Sequence, residues 1–167
     1  MRFLCDEMLS GLARLLRAAG HDVLLAPAQS PDSDLIRRAA EEERLLLTRD
    51  GDLAAAVGER GLRLRGDTAD GQAEELSGRV AVDWLAAPFT RCLVDNTLLR
   101  PAAALEIAAL PGDTAARPGP FTACPACGRV YWPGSHVRRM LEKLTALPRE
   151  GEGLARKSPG SNPTCSP

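Results

Sequence analysis

Over the first 80 positions, short apolar runs alternate with stretches in which apolar residues recur at helical spacing. Arg2–Cys5 is a short run that stops abruptly at Asp6 and Glu7, the pattern of a buried strand. Met8, Leu9, Leu12, Leu15, Leu16 and Ala19 then recur three and four positions apart, which is one face of a helix. Gly20 is suited to end that helix. Residues 23–25 form a second run, Pro27 and Pro31 mark a loop, and Asp32 or Ser33 can cap a helix bearing Leu35, Ile36, Ala39 and Ala40. Residues 45–47 read as a third strand, followed after Thr48, Arg49 and Asp50 by a short helix with Leu53, Ala54 and Val57. A turn at 58–61, a fourth strand at 62–64 and a weaker helix over 70–76 complete the series. Strands separated by helices of this length require right-handed crossovers, so the pattern predicts an α/β fold with a parallel sheet flanked by helices.

The periodicity breaks at Ala86, Ala87 and Pro88. Beyond it, a proline-rich stretch with Pro101, Pro111, Pro118 and Pro120 separates Cys92 from Cys124 and Cys127, and reads mostly as loop. Val137, Met140, Leu141 and Leu144 fall at i, i+3, i+4 and i+7, so residues 135–147 are expected to form an amphipathic helix. The expected organisation is an α/β domain over 1–87, a small cysteine-containing module over 88–147, and a tail over 148–167. That tail is rich in Gly, Pro and Ser, with too little to bury to fold.

Charge separates the two halves further. Residues 1–87 hold 11 arginines against 16 acidic residues, a net of −5, whereas residues 88–167 hold 10 basic against 6 acidic, a net of +4. An acidic half suits hard cations and a basic half suits phosphate. The longest uncharged apolar runs fall far short of the roughly 20 residues needed to span a bilayer, so no membrane segment is expected. Asp6 and Glu7 interrupt any apolar signal-peptide core, and a cytoplasmic location follows as an expectation. Five cysteines, at 5, 92, 124, 127 and 165, are an odd number that argues for metal binding or incidental use over a disulfide framework.

In an open parallel sheet, ligands bind outside the carboxyl ends of the strands. Asp6 follows the first strand, Asp32 and Asp34 follow the second across a loop, and Asp50 and Asp52 follow the third, so all are expected at one edge. Carboxylates gathered there repel one another unless a cation compensates, and Mg²⁺ or Mn²⁺ with oxygen ligands is the natural occupant. Such an ion activates water and neutralises charge in phosphodiester hydrolysis. Each position also has a local use: Asp32, Asp34, Asp50 and Asp52 can serve helix N-termini, and Glu7 suits a solvated first turn. Cys5 is a small residue within the strand, and Thr48 can cap or bind a substrate.

Several segments resemble the Mut-seven C-terminal RNase family. Phe3-Leu4-Cys5-Asp6-Glu7-Met8-Leu9, Asp32-Ser33-Asp34-Leu35-Ile36 and Leu46-Leu47-Thr48-Arg49-Asp50-Gly51-Asp52-Leu53 look like its PIN-like nuclease domain. Pro88-Phe89-Thr90-Arg91-Cys92, Asn96-Thr97-Leu98-Leu99-Arg100-Pro101 and the long stretch from Cys124 through Arg129, Tyr131, Trp132, His136, Arg138 and Arg139 to Met140 look like its C-terminal zinc ribbon. The resemblance implies Mg²⁺- or Mn²⁺-dependent cleavage of RNA, with Asp6, Asp34, Asp50 and Asp52 matching the acidic cluster and Asp6, Asp34 and Asp50 holding the ion. Arg49, beside Asp50, is an expected nucleic-acid contact.

In the ribbon, Cys124 and Cys127 form one Cys-x-x-Cys pair, the spacing that turns two sulfurs onto one ion. Where the family pattern has a second cysteine after Cys92, this chain has Asp95. A Cys₃Asp zinc site is chemically possible. His136 is the other candidate for the fourth position, but the family pattern carries this histidine in addition to four cysteines, which suits an RNA-facing role. Arg129, Trp132, His136, Arg138 and Arg139 mix cations with aromatic surface as single-stranded nucleic acid requires, although Tyr131 and Trp132 could equally pack beneath the ribbon. Two other functions compete. A phosphoacceptor receiver domain would need a lysine at a late strand end, and the only lysines are Lys143 and Lys157. A non-catalytic RNA-binding or protein-interaction module on the same fold is the alternative to a ribonuclease.

Overall fold

The computed structural model describes residues 1–148. The expected tail, apart from Pro148, and Cys165 lie outside the described residues. Four parallel strands, β1 (Arg2–Cys5), β2 (Asp22–Leu25), β3 (Leu45–Thr48) and β4 (Gly61–Arg63), form a sheet in the order β2-β1-β3-β4. They alternate with α1 (Ser10–Ala18), α2 (Asp32–Glu41), α3 (Gly51–Val57) and α4 (Ala69–Ser77), as the apolar pattern predicted.

Successive side chains of a strand point to opposite faces of the sheet, and the burial follows that rule. Phe3, Cys5 and Leu47 join Leu12, Leu16, Ala73 and Leu76 in the core under α1 and α4. Leu4 and Leu46 join Leu35, Ala39 and Leu53 in the core under α2 and α3. Each large side chain buried in this way contributes about 1.5–3 kcal/mol.

Three local differences from the sequence reading have physical causes. The fourth strand begins at Gly61, one residue early. A Cβ there would stand 2.1 Å from the Ala54 carbonyl oxygen, so only glycine lets the strand start this close to α3. The cap of α2 is Pro31 rather than Asp32 or Ser33, with no side-chain hydrogen bond, because the fixed φ of proline already presets a helix entry. The stretch between Cys92 and Cys124 contains a short α5 (Ala104–Ala108) and a 3₁₀ turn (Gly112–Ala116), reflecting the high helix propensity of its alanines.

The C-terminal part forms a three-stranded antiparallel sheet, β5 (Arg100–Pro101), β6 (Thr122–Ala123) and β7 (Val130–Tyr131), in the order β5-β6-β7. The expected amphipathic helix, α6 (Ser135–Ala146), follows. It packs back onto α1, so that Leu144, with Val82, Trp84 and Leu93, shares the core of Phe3 and Leu12.

Polar groups fasten the cysteine loop to the sheet. Buried Arg17 donates to the carbonyls of Val23 at 2.9 Å, Leu93 at 3.3 Å and Val94 at 2.7 Å. Asn96 accepts from the Val23 N–H at 2.9 Å and donates to Asp22 at 2.8 Å. Because β2 is an outer strand, these bonds cover part of an edge that would otherwise expose unpaired backbone. Among the described residues no helix is long and apolar enough to cross a membrane.

Candidate active site and metal centre

From β1 the chain moves outward to β2, then crosses back to β3 on the other side of β1. The direction of winding therefore reverses between β1 and β3, and the carboxyl ends of two such strands frame the usual ligand crevice of an open α/β sheet. Asp6 and Thr48 stand at those ends. The Thr48 hydroxyl donates to Asp6 Oδ2 at 2.8 Å and accepts from the Asp50 N–H at 3.0 Å. Asp6 Oδ1 accepts from the Glu7 N–H at 2.7 Å, and Asp50 Oδ1 caps α3 by accepting from Asp52 N at 2.7 Å and Leu53 N at 3.2 Å. The backbone and Thr48 thus fix both carboxylates while leaving lone pairs free, since each ionised carboxylate offers about four acceptor sites.

The other predicted acids stand further apart. Asp52 lies in the first turn of α3, with no side-chain hydrogen bond or ion pair among the described residues. Asp34 lies in the first turn of α2, exposed and 3.6 Å from Arg37. Asp6, Asp34, Asp50 and Asp52 do not supply three oxygens all within 4.8 Å of one another. Asp50 turns its carboxylate toward its own helix and Asp34 toward its own arginine, so the tight convergence expected of all four is replaced by Asp6, linked through Thr48 to the Asp50 backbone N–H, with Asp34 and Asp52 on flanking helices. Arg49 follows Thr48 directly and pairs at 2.7 Å with the exposed Asp67.

Glu7 has a function that sequence reasoning missed. Its carboxylate accepts from the Gln29 N–H at 2.7 Å, tying the loop before α2, and hence Asp34, to the end of β1. Gln29 has φ of 61°, and this left-handed backbone left no readable signal in the sequence.

The second centre is closed more tightly. Cys92, Asp95, Cys124 and Cys127 place one ligand atom each within 4.8 Å of one another, the one such group of three or more among the described residues. Two matching turns build it. In the first, the Cys92 N–H bonds the Thr97 carbonyl at 2.8 Å, the Asn96 N–H bonds the Cys92 carbonyl at 3.0 Å, and Asn96 has φ of 70°. In the second, the Cys124 N–H bonds the Arg129 carbonyl at 2.9 Å, the Gly128 N–H bonds the Cys124 carbonyl at 2.9 Å, and Gly128 has φ of 71°. Asp95 therefore holds in the first turn the place that Cys127 holds in the second. His136 is not part of this group.

The donor set fits a metal ion. Cys92 and Cys127 sulfurs are 3.6 Å apart, close to the separation of about 3.8 Å for two sulfurs at about 2.3 Å from one tetrahedral zinc. Asp95 oxygens lie 3.3 and 3.4 Å from the Cys124 sulfur, which also accepts from the Cys127 N–H at 3.5 Å. Burial opposes ionisation of Asp95, but hydrogen bonds from Thr97 and from the thiols of Cys127 and Cys92 outweigh it and hold the carboxyl far below its usual range. Cys92 is likewise opposed by burial yet lowered by the Tyr131 hydroxyl and by backbone N–H groups. At Cys127 the Arg129 N–H works toward ionisation, but Asp95 and the neighbouring sulfurs prevail and push the thiol up to about 12. Four acidic groups this close must share protons, and a divalent cation removes that conflict by deprotonating the thiols.

Tyr131 was expected only as packing or a stacking face. Its hydroxyl lies 3.2 Å from the Cys92 sulfur and accepts from the Leu93 N–H at 3.1 Å, the kind of outer contact that orients a metal ligand. Arg129, Trp132 and His136 line a cavity of about 420 Å³ beside the ribbon. Arg138 and Arg139 are exposed on α6, outside that cavity.

No curated protein and no solved structure matches the chain significantly. A family profile described as the Mut7-C RNAse domain matches residues 1–144, nearly the whole described structure and both centres within it. The chain belongs to the Mut7-C RNAse domain family.

Proposed function

We propose that this protein is a Mg²⁺- or Mn²⁺-dependent ribonuclease that hydrolyses RNA phosphodiester bonds at Asp6, Asp34, Asp50 and Asp52. Residues 88–147 act as a zinc-ribbon module that assists RNA binding. The observation that carries this reading is the bridge from Asp6 through the Thr48 hydroxyl to the Asp50 N–H at the crevice between β1 and β3. Family membership supports the ribonuclease class.

In this reading Asp6, Asp34 and Asp50 hold the cation. When bound, it supplies charge neutralisation at the phosphate and activation of the attacking water. Thr48 fixes the Asp6 carboxylate, and α3 fixes that of Asp50, before substrate arrives, so little reorganisation is needed during reaction. Asp52, unpartnered in the first turn of α3, is available to accept a proton from the attacking water. Arg49 exchanges its exposed partner Asp67 for the RNA phosphate; such exposed ion pairs are worth only about 0–1 kcal/mol. At the second centre, Cys92, Asp95, Cys124 and Cys127 hold zinc, whose binding contributes directly to folding.

Cleavage of single-stranded and structured RNA, with Mg²⁺ or Mn²⁺ and after chelation, tests the assignment. Metal-dependent product formation is expected. RNA binding without cleavage under every metal condition would overturn it in favour of a non-catalytic RNA-binding module.

A further inference from the structure

We propose that the cavity beside the ribbon binds one phosphorylated nucleotide of single-stranded RNA, with its base against Trp132 and its phosphate among Arg14, Arg117 and Arg129. The cavity lies between α1, Phe89, the end of the 3₁₀ turn, β7 and the start of α6. Its volume of about 420 Å³ falls within the range of about 300–1,000 Å³ typical of small-molecule sites. The proposal rests on RNA being the substrate, but it is independent of whether the acidic edge is catalytic.

The charge of the lining points to an anion. Arg14, Arg117, Arg129 and His136 line the cavity, and no Asp or Glu does. Most arginines elsewhere are committed: Arg37, Arg38, Arg44, Arg49, Arg79 and Arg100 all pair with carboxylates. The side chains of Arg14, Arg117 and Arg129 have neither an ion pair nor a hydrogen bond among the described residues. Three exposed, uncommitted guanidinium groups around one concavity make it electropositive, and a phosphate there takes charge-assisted, often bidentate hydrogen bonds. The twelve-residue helix α6 adds its N-terminus, whose Gly134 cap supplies no side-chain hydrogen bond, leaving N–H groups for an anion.

The rest of the lining points to a base. Phe89 and Trp132 contribute aromatic surface, and Val137 and Met140 contribute apolar surface. The Trp132 indole N–H has no acceptor among the described residues. Its ring lies so close over Gly134 that a Cβ there would stand 2.7 Å from Nε1, so the glycine sets the position of the indole at the cavity. Stacking of a base on such a face is worth about 1–3 kcal/mol. An inorganic anion would leave this surface unused, and an uncharged aromatic ligand would leave the arginines unused. A nucleotide uses both.

The placement also relates the cavity to the acidic edge. Arg14 lies four residues after Ser10 on α1, roughly 6 Å along the axis at 1.5 Å per residue, and α1 begins just beyond Asp6.

Tryptophan emission under titration with AMP, adenosine or inorganic phosphate tests this. Trp132 is half-buried and Trp84 is buried, so Trp132→Phe removes the reporting signal and leaves the other. Saturable quenching by AMP is expected, at least tenfold tighter than by adenosine and than phosphate binding measured by calorimetry. Arg14→Gln with Arg117→Gln is expected to weaken AMP binding at least tenfold without changing the circular dichroism spectrum. Competition by a 5′-phosphorylated tetraribonucleotide, measured in Asp6→Asn to prevent cleavage, is expected to displace AMP. Absence of saturable AMP binding would overturn the proposal, as would phosphate binding as tightly as AMP or a tetranucleotide that fails to compete. Because binding is read without turnover, a failed nuclease assignment leaves this result intact.

Discussion

Thr48 Oγ1 donates to Asp6 Oδ2 at 2.8 Å while accepting the Asp50 N–H at 3.0 Å, so one buried hydroxyl joins the ends of adjacent parallel strands. A serine or threonine is the smallest side chain that can donate and accept in this way. Thr48 is fully buried, and its methyl group fills space that serine would leave partly empty.

Asp6→Asn and Asp50→Asn are each expected to abolish detectable RNA cleavage, because each removes a metal-binding charge at little steric cost. Asparagine retains a carbonyl oxygen able to cap α3 from position 50, so the thermal midpoint should stay near that of the parent. Thr48→Val is expected to reduce cleavage about 10–100-fold, the usual effect of removing a group that orients a ligand, whereas Thr48→Ser should recover most of it. Near-normal activity in Asp6→Asn would remove this edge from the chemistry.

Replacing Arg138 and Arg139 together by glutamine is expected to weaken RNA binding and flatten its dependence on salt, since each phosphate contact adds to the slope of log affinity against log salt. Both are exposed on α6, so folding should be unaffected. An unchanged slope measured by anisotropy would mean that this part of α6 faces away from the RNA.

Asp22 gives a prediction about acid stability. Burial raises its pKa, but hydrogen bonds from Arg44 and Asn96 outweigh that and hold the carboxyl below its ordinary value. The unfolded chain then binds this proton more readily than the folded one, so ionised Asp22 stabilises the fold above about pH 4 and the contribution fades as pH falls below it. Asp22→Asn should lower stability to urea at pH 7, and its difference from the parent should shrink between pH 5 and pH 3. A difference independent of pH would mean that Asp22 acts through packing alone.

Much of this fold was legible in the sequence because its core is made of short apolar runs and helical stripes with distinct periods. Leu4 and Phe3 declare a strand buried on both faces, and Leu12 and Leu16 declare the helix above it. The candidate acids were found by position, since strand ends in a parallel sheet share one edge. Side-chain orientation was not readable: nothing in the sequence distinguishes Asp50 capping its own helix from Asp50 facing Asp34. Long-range polar bonds were equally invisible. The 2.7 Å contact of Arg17 with the Val94 carbonyl spans 77 residues, and Tyr131 meets Cys92 across 39. The cavity was missed for the same reason, because Arg14 and Arg117 reach it from segments with no shared motif.

The turn around Cys92 supports the final prediction, because Asp95 takes there the position that Cys127 takes in the matching turn around Cys124. A carboxylate can bind zinc at about 2.0–2.2 Å, so purified protein is expected to carry about one zinc per chain. Asp95→Ala should lower that occupancy, since three ligands must admit water as the fourth. Alanine also removes the acceptor of the Thr97 N–H, a bond of 3.0 Å, and Asp95→Asn separates the two effects by keeping an acceptor while losing the charge. Asp95→Cys should complete a Cys₄ site, which chelators strip more slowly than the parent. Structural zinc binding is folding free energy, so removing the metal should also lower the thermal midpoint. That loss should reach the α/β sheet, because Arg17 and Asn96 fasten this loop to β2. Metal analysis with thermal melts before and after chelation reads all of these outcomes. Zinc absent from both the parent and Asp95→Cys would show that the three cysteines and Asp95 gather without serving an ion.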